Sequence, residues 1–560
     1  MAMSNAQIAE LLRRYATVLV LEGADRFKVK AYRRGADTIE TLKQDITKYV
    51  SQGEDLQQLP AIGPGISATI QEILSTGALL RLDNAVGTLE PSLVELSTKP
   101  RLDPTKVKRI YKKLGIHSLG ELQKKLDSGE IRQVLGPRLD YHVRQGLDER
   151  PRILLWAAEK LVPAIEHQLI ECGATKVALA GSLRRKCDTI GDLGFLVSGR
   201  SAVGIFKGFG RFAPLHPQQS TSKQERRFQL SEGRTVSLTF TPKASWGLAQ
   251  LHSTGSVAHI DALRAFGKSQ KISLSVKRLG RAASDEVSIY ERLGLKFIEP
   301  ELREDRGEIE TASCGSLPKL IELKDLKGDL HMHTTESDGA DSLEAMAEAA
   351  QERGYEYIAI TDHSQSLKIT NGLTEKRLFL QIKAIDKLNA KLQGLTILKA
   401  SEVDILEDGR LDFSDKALKE LDLTVCSIHS RFALNKQQQT ERIMRAMDNP
   451  YFKILGHATG RLLLKREGYE LDMDRLIKHA KERGCFFEIN SSPDRLDLSD
   501  EHARLAKDAG VKIAINTDAH STRELRFISA GINQARRGWL ERANVLNASP
   551  LCKLRSLLDS

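Results

Sequence analysis

GDLHMHTTESDG, residues 328–339, sets two histidines, His331 and His333, at alternate positions of an apolar run and follows them with Asp338. The arrangement recurs down the second half of the chain: an apolar, β-branched run, a histidine or carboxylate at its C-terminal end, then an amphipathic stretch. The runs are IAITDHS (358–364), LKASEVDI (398–405), LTVCSIHS (423–430), KILGHATGR (453–461) and IAINTDAHS (513–521). They add His363, Glu402, His429, His457, Asp518 and His520, so nine residues are candidate metal ligands. A lone histidine usually reads as a hydrogen-bonded core or surface residue. Nine donors repeated at strand ends read otherwise, because parallel β/α barrels assemble their sites at that edge. Nitrogen and carboxylate donors suit Zn²⁺, Mn²⁺ or Fe²⁺, and a glutamate among several histidines can bridge two ions. Such a centre clamps a phosphate and lowers the pKa of a water toward neutrality, which makes phosphoester hydrolysis the natural reaction class. Arg461, in HATGR, is the candidate phosphate clamp, and Asn490 and Arg495, in EINSSPDRLDLSD (488–500), are further pocket candidates. His479 and His502 fall in helical patterns and read as structural.

Taken in order, these motifs resemble the PHP (polymerase and histidinol phosphatase) family over residues 326–560. The resemblance implies a distorted (β/α)7 barrel with a trinuclear metal centre, loaded with Mn, Zn or Fe. It assigns His331, His333, Glu402 and Asp518 to one ion, and Glu402, His429 and His457 to a second. Asp338, His363 and His520 would hold the third.

With 560 residues, 41% apolar and 28% charged, the chain is long enough for several globular units. Its six cysteines are scattered without CxxC pairs, which argues against a zinc ribbon or a disulfide framework. Neither a signal peptide nor an apolar run of about 18 residues is present, so a cytosolic protein with no membrane partner is expected. Residues 1–320 carry 48 Lys and Arg against 36 Asp and Glu, whereas residues 321–560 carry 36 against 38. The net charge of +10 therefore resides in the first part, as expected of a surface that tracks a phosphate backbone. LPAIGPGISATIQEIL (59–74) is a helix-hairpin-helix pattern, in which Gly63 and Gly65 let backbone N–H groups approach a phosphate. Amphipathic stretches at 5–22 and 27–43 complete a helical bundle that exposes Arg33 and Arg34, and 102–122 supplies a second, lysine-rich helical pair. The expected partner is nicked, gapped or 3′-ended DNA bound without base reading, by a protein that is monomeric.

GSLRRKCDTIGDLGFLV (181–197) and PELREDRGEIE (300–310) resemble the palm and thumb segments of family X DNA polymerases, whose bacterial members carry a C-terminal PHP domain. That resemblance covers essentially the whole chain. It implies that Gly181, Ser182 and Arg185 meet nucleotide phosphates and that the TGS at 254–256 borders the sugar. The departures are specific. The family takes three aspartates for two Mg²⁺ ions; here Asp192 stands alone, with Gly194 and Ser237 at the other two positions. His252 and Ser253 replace an aromatic pair, and the lysines of a sugar-phosphate lyase fall on Gly65 and Thr69. Asp188, four residues before Asp192, is expected to lie off the strand face. Polymerase chemistry and palm-bound Mg²⁺ are therefore read as lost.

The expected fold is multidomain, α+β and α/β: a helical DNA-binding domain (1–84), helical fingers (85–148), a palm (149–242), a small α/β thumb (243–312), a linker (313–325) and the barrel (326–560). Three functions remain open. The leading one is a metal-dependent DNA phosphoesterase, a 3′-to-5′ exonuclease with possible 3′-end or abasic-site processing. A gap-filling polymerase with a PHP proofreader and a non-catalytic DNA-end-binding protein are the alternatives.

Overall fold

The computed structural model describes residues 152–213, 222–230 and 234–559 throughout, and residues 3–147 with interruptions, the longest at 83–96 and 98–103. It divides into two compact units, Met1–Glu149 and Arg150–Ser560. Among the described residues no helix is long and apolar enough to cross a membrane.

In the first unit, Ile8, Leu12, Tyr15 and Leu19 recur every three or four residues along helix α1 (Asn5–Glu22) and form one buried stripe. Tyr32, Ala36 and Ile39 of α2 (Arg26–Thr41) and Ile66, Ile70 and Ile73 of α3 (Pro64–Thr76) close the same core. Helix α3 starts on Pro64 after the Gly63 cap and ends at Gly77, which adopts the left-handed φ of 71° that its turn requires. The helices Pro104–Leu114, Leu119–Asp127 and Glu130–Leu135 bury Val107, Ile110, Leu122 and Ile131 in a separate cluster.

The second unit opens with a four-stranded sheet of β1 (Ala174–Leu179), β2 (Leu193–Gly199), β3 (Glu225–Gln229) and β4 (Thr235–Phe240), in the order β1-β2-β4-β3. Strands β2 and β4 run parallel, with Gly194 directly opposite Ser237. The region expected to be an α/β thumb contains helices and no strand among its described residues. Leu251, Ile260, Leu263, Ile289 and Tyr290 fall on Trp246–Thr254, Val257–Ser269 and Glu286–Arg292 and share one core with Leu293, the residue that caps the last of these helices.

Seven parallel strands then form a barrel: β5 (Gly328–Met332), β6 (Tyr357–Ile360), β7 (Thr396–Asp404), β8 (Leu423–Ser427), β9 (Ile454–Leu455), β10 (Phe486–Asn490) and β11 (Ile513–Asn516). The sheet runs in chain order, and the Asp518 and His333 amides bond across from β11 to β5, so the barrel is nearly closed. Tyr357, Ala359, Leu398, Ala400, Val425, Ile454 and Ala514 cluster with Leu554 and Leu558 of the C-terminal helix Leu551–Leu558. Residues contributed by nearly every strand can meet only inside the barrel, and the helix plugs its lower end. The two-residue period then lifts Glu402, on the face of Leu398 and Ala400, to the upper rim.

Palm, thumb and barrel are pinned together by charges. Arg537, on the barrel helix Ile528–Arg537, bonds Glu304 and Asp500 at 2.9 Å each and the Arg185 carbonyl at 2.9 Å. Arg306 pairs with Asp500 and Glu501, and Arg536 with Glu301. Trp539 joins the thumb core beneath the Arg504 guanidinium, 4.0 Å from the ring centre. The Arg537 side chain is only 8% exposed, and Arg537→Ala removes one of the two cations that each of Glu304 and Asp500 faces, leaving Arg185 on the first and Arg306 on the second. It should cost about 1.5–3 kcal/mol of stability, read as a fall in the denaturation midpoint.

Candidate metal centre

All nine expected ligands converge on the upper rim. His331 lies within β5 and Glu402 within β7, while the others stand on the loops after β5, β6, β8, β9 and β11. Glu402 is the hub: its Oε2 lies 3.5 Å from His331 Nε2, 3.6 Å from His333 Nε2 and 2.9 Å from His363 Nδ1. Its Oε1 lies 3.4 Å from His429 Nε2 and 2.8 Å from His457 Nε2. Asp518 Oδ1 faces His331 and His333 at 3.4 and 3.2 Å, and Asp338 faces His363 and His520 at 3.5 and 3.4 Å.

Three groups have donor atoms mutually close enough to share an ion: His331, His333, Glu402 and Asp518; His333, Asp338, His363 and His520; and His363, Glu402 and His429. The first matches the expected set. The other two differ from expectation, since His333 joins Asp338, and His363 takes the place of His457 beside Glu402 and His429. The donor set fits divalent ions on a second ground. His331 Nε2, both ring nitrogens of His333 and Glu402 Oε2 are buried close to opposite charges yet make no hydrogen bond, which buried polar atoms rarely tolerate. Two of the positions are also held in left-handed backbone, Asp518 at φ 54° and His457 at φ 25°, a strain typical of functional sites.

Several carboxylates that the sequence reading passed over orient these ligands. Glu488, fully buried in β10, accepts from His331 Nδ1 at 2.8 Å, the His457 amide at 2.9 Å and Asn516 at 2.9 Å. Asp404 bonds His429 Nδ1 at 2.7 Å. Asp362 holds the Asp338 loop by accepting from the Thr334 amide and hydroxyl at 2.8 and 2.6 Å and from the Ser337 hydroxyl. The available signal was a charged residue inside an apolar run, as in FFEIN (486–490). A carboxylate on the distal nitrogen fixes the ring's tautomer and raises its basicity. Glu488→Gln should weaken metal binding about 10- to 100-fold in a chelator competition titration.

The charges interlock. Burial disfavours a proton on His363, but Glu402 and Asp338 outweigh it and raise its pKa to about 10. His429 and His520 are likewise raised against burial, each to about 9, the first mainly by Glu402 and the second by Asp338. His333 is lowered to about 3 by burial and by neighbouring His363 and His520. Metal-free protein thus carries protons on His363, His429 and His520 at pH 7, and an incoming ion must displace them. Affinity for Mn²⁺ should rise with pH until these groups deprotonate near pH 9 to 10. Calorimetry in two buffers of different ionisation enthalpy checks the proton release; equal heats would contradict it.

Arg461 departs from its expected role. Its Nε donates to the Arg495 carbonyl at 3.0 Å, another nitrogen to the Leu496 carbonyl, and Nη1 pairs with Asp188 of the palm at 3.4 Å. It braces the loop after β10 against the palm. Arg495, carried on that loop, instead faces Asp518, with Nε 3.6 Å from Oδ2, and Asn490 donates to the same oxygen at 3.0 Å. His479 pairs with Asp448, and neither it nor His502 belongs to the cluster.

The palm holds far less. Asp192 accepts a hydrogen bond from Ser237 at 2.6 Å, and Gly194 offers no side chain. Gly181 stands at φ 59° before Ser182 on the short helix Gly181–Arg184. Arg185, expected to meet nucleotide phosphates, is tied to Glu304 at 3.0 Å and to the Thr254 carbonyl. In the helix-hairpin-helix, a Cβ at Gly63 or Gly65 would meet no protein atom within 4 Å, so space is left in front of the turn. Thr69 is buried against Tyr32, and Arg33 and Arg34 are exposed.

A hairpin-bearing helical unit, a polymerase-type palm and thumb, and a barrel with a ligand-rich rim together define a DNA-processing protein of the polymerase–phosphoesterase type. Family models agree: a helix-hairpin-helix domain matches residues 3–79, a DNA polymerase beta thumb residues 249–304, and a PHP domain residues 329–492. The DNA polymerase/3′-5′ exonuclease PolX of Bacillus subtilis (strain 168) is 35% identical over 99% of this chain and 99% of its own length. Probable phosphatases of Thermoanaerobacter sp. (strain X514) and Acetivibrio thermocellus are 34% and 30% identical over 34% and 35% of this chain, and over 78% and 80% of their own. The chain belongs to the bacterial family X DNA polymerases that carry a C-terminal PHP domain. Its polymerase and helix-hairpin-helix domains imply DNA binding.

Proposed function

We propose that this protein is a metal-dependent DNA phosphoesterase that removes nucleotides from 3′ ends, on a polymerase-like core that grips DNA without extending it. The observation that carries the reading is a cluster of eight metal-competent donors, with His457 beside Glu402 as a ninth, on the same compact unit as a palm with Asp192 alone. His331, His333, Asp338, His363, Glu402, His429, His457, Asp518 and His520 would hold up to three ions, drawn from Mn²⁺, Zn²⁺ and Fe²⁺. Bound there, such ions neutralise phosphate charge and make hydroxide accessible near neutral pH. Arg495 supplies a planar donor beside Asp518 for the scissile phosphate, and Asn490 fixes the Asp518 carboxylate. The open space at Gly63 and Gly65 supports backbone capture of nicked, gapped or 3′-ended DNA. Blocked 3′ ends and abasic sites are the related substrates, and palm-bound Mg²⁺ plays no part. A 5′-labelled primer on a gapped template with Mn²⁺ tests the reading: progressive shortening is expected. A primer left intact, with 3′-phosphate ends also untouched, would sink it.

A further inference from the structure

Phe432 stands three residues after His429 on the loop that follows β8, with 37% of its surface exposed. Three residues of chain span at most about 11 Å, so one nucleotide, phosphate to base, can bridge from the metal centre to this ring. Two side chains of the loop after β9, the loop that carries His457, hold it in place. The Arg466 guanidinium lies 4.6 Å from the ring centre, and the Tyr469 ring runs nearly parallel to it, 21° off at 6.0 Å. Arg466 is itself fixed, donating from Nε and Nη2 to the Gly460 carbonyl at 3.2 and 2.6 Å. The open remainder of the Phe432 ring is therefore a rigid aromatic surface at the edge of the rim.

A single exposed apolar side chain is ordinary on any protein surface, but the setting of this one is built. Arg442, fully buried on the helix Lys436–Met447, directs its guanidinium to the Leu406 carbonyl at 2.8 Å, the Ser430 carbonyl at 3.0 Å and the Ile405 carbonyl. It thereby fixes the backbone that leads from His429 to Phe432. Arg431, between them, is held in left-handed backbone at φ 56°, where residues other than glycine are uncommon. Tyr469 can lie where it does because position 460 has no side chain: a Cβ there would come 2.7 Å from its ring. The loop of Arg466 and Tyr469 also reaches the palm, with Leu463 packed against Leu154 and Arg461 paired with Asp188. The stack thus shares its loop with the contact between the rim and the polymerase-like core. Nucleobases of every kind stack on such a ring, and one already held in place loses little freedom when they do.

Building on the phosphoesterase reading, we propose that Phe432 is the stacking face for the base of the nucleotide whose phosphate enters the metal centre. It makes the site one for nucleotides rather than for small phosphate esters. The test is calorimetry on the full-length, Mn²⁺-loaded chain with two probes, thymidine 5′-monophosphate and 2-deoxyribose 5-phosphate, which differ only in the base. Wild type should bind the nucleotide about tenfold or more tightly than the sugar phosphate, the amount a base–aromatic stack contributes. Phe432→Leu keeps an apolar side chain of similar size without a π face. It should bring the ratio below about threefold and leave the affinity for the sugar phosphate unchanged, whereas Phe432→Trp should restore the preference. Bound metal, counted in each variant, should not change. A wild type that does not distinguish the two probes, or a leucine variant that still does, would overturn the proposal. So would equal losses for both probes, since the ring would then only prop the loop. Calorimetry involves no cleavage, so a protein that shortened no primer would end the exonuclease reading while leaving the base preference to be read on its own.

Discussion

Glu402→Gln should abolish 3′-end shortening, lowering the rate at saturating Mn²⁺ by at least about a thousandfold. Glu402 belongs to two of the three ligand groups, and its two oxygens face five imidazoles between them. The amide keeps the shape but removes the negative charge and one acceptor. Metal coordination contributes several kcal/mol of transition-state stabilisation, and each ~1.4 kcal/mol is a factor of ten in rate. The imidazoles also lose the anion that raises His363 and His429. The measurement is single-turnover cleavage of the labelled primer, with bound metal counted in parallel. Undiminished cleavage, or lost metal with unchanged cleavage, would assign the barrel a structural role, as the non-catalytic DNA-end-binding reading requires.

The convergence of the nine candidate ligands was legible in the sequence for a geometric reason. A parallel barrel delivers every strand's C-terminal end to one rim, so donors scattered from His331 to His520 must converge if the strands are assigned correctly. Which donors share an ion was not legible, because strand assignment fixes the rim but not the direction of each ring, and His333 and His363 each turn toward two groups. Glu488 and Asp404 were hidden by the same apolar runs that revealed the candidate ligands; a buried carboxylate shows its partner only once the barrel sets β10 across from β5 and β7 beside β8. Arg461 looked like a clamp because it follows His457 closely, yet its loop turns it onto two carbonyls and Asp188. The charged seam of Arg537, Glu304 and Asp500 joins residues far apart in the chain, and no local pattern announces it.

Primer extension on gapped DNA should be absent with Mg²⁺ or Mn²⁺, at least roughly four orders of magnitude below that of a three-aspartate palm. The assay is best run in the Glu402→Gln background, where shortening cannot mask synthesis. Two divalent ions bring four positive charges into one pocket, and nucleotide phosphates offset them only when carboxylates hold the ions apart and in line. Here Gly194 and Ser237 sit side by side on β2 and β4, and Asp192, just before β2, already accepts the Ser237 hydroxyl. The position also has little room for a side chain: a Cβ at 194 would come within 3.3 Å of the Ala180 carbonyl oxygen. Arg185 is held by Glu304 and Thr254, and Glu304 in turn by the barrel's Arg537, so the group expected to grip the triphosphate is committed to the seam between domains. Asp188 pairs with Arg461 and is turned to that seam too. Extension that vanishes with Asp192→Ala would mean that other ligands had replaced the missing pair, and the polymerase reading would then return.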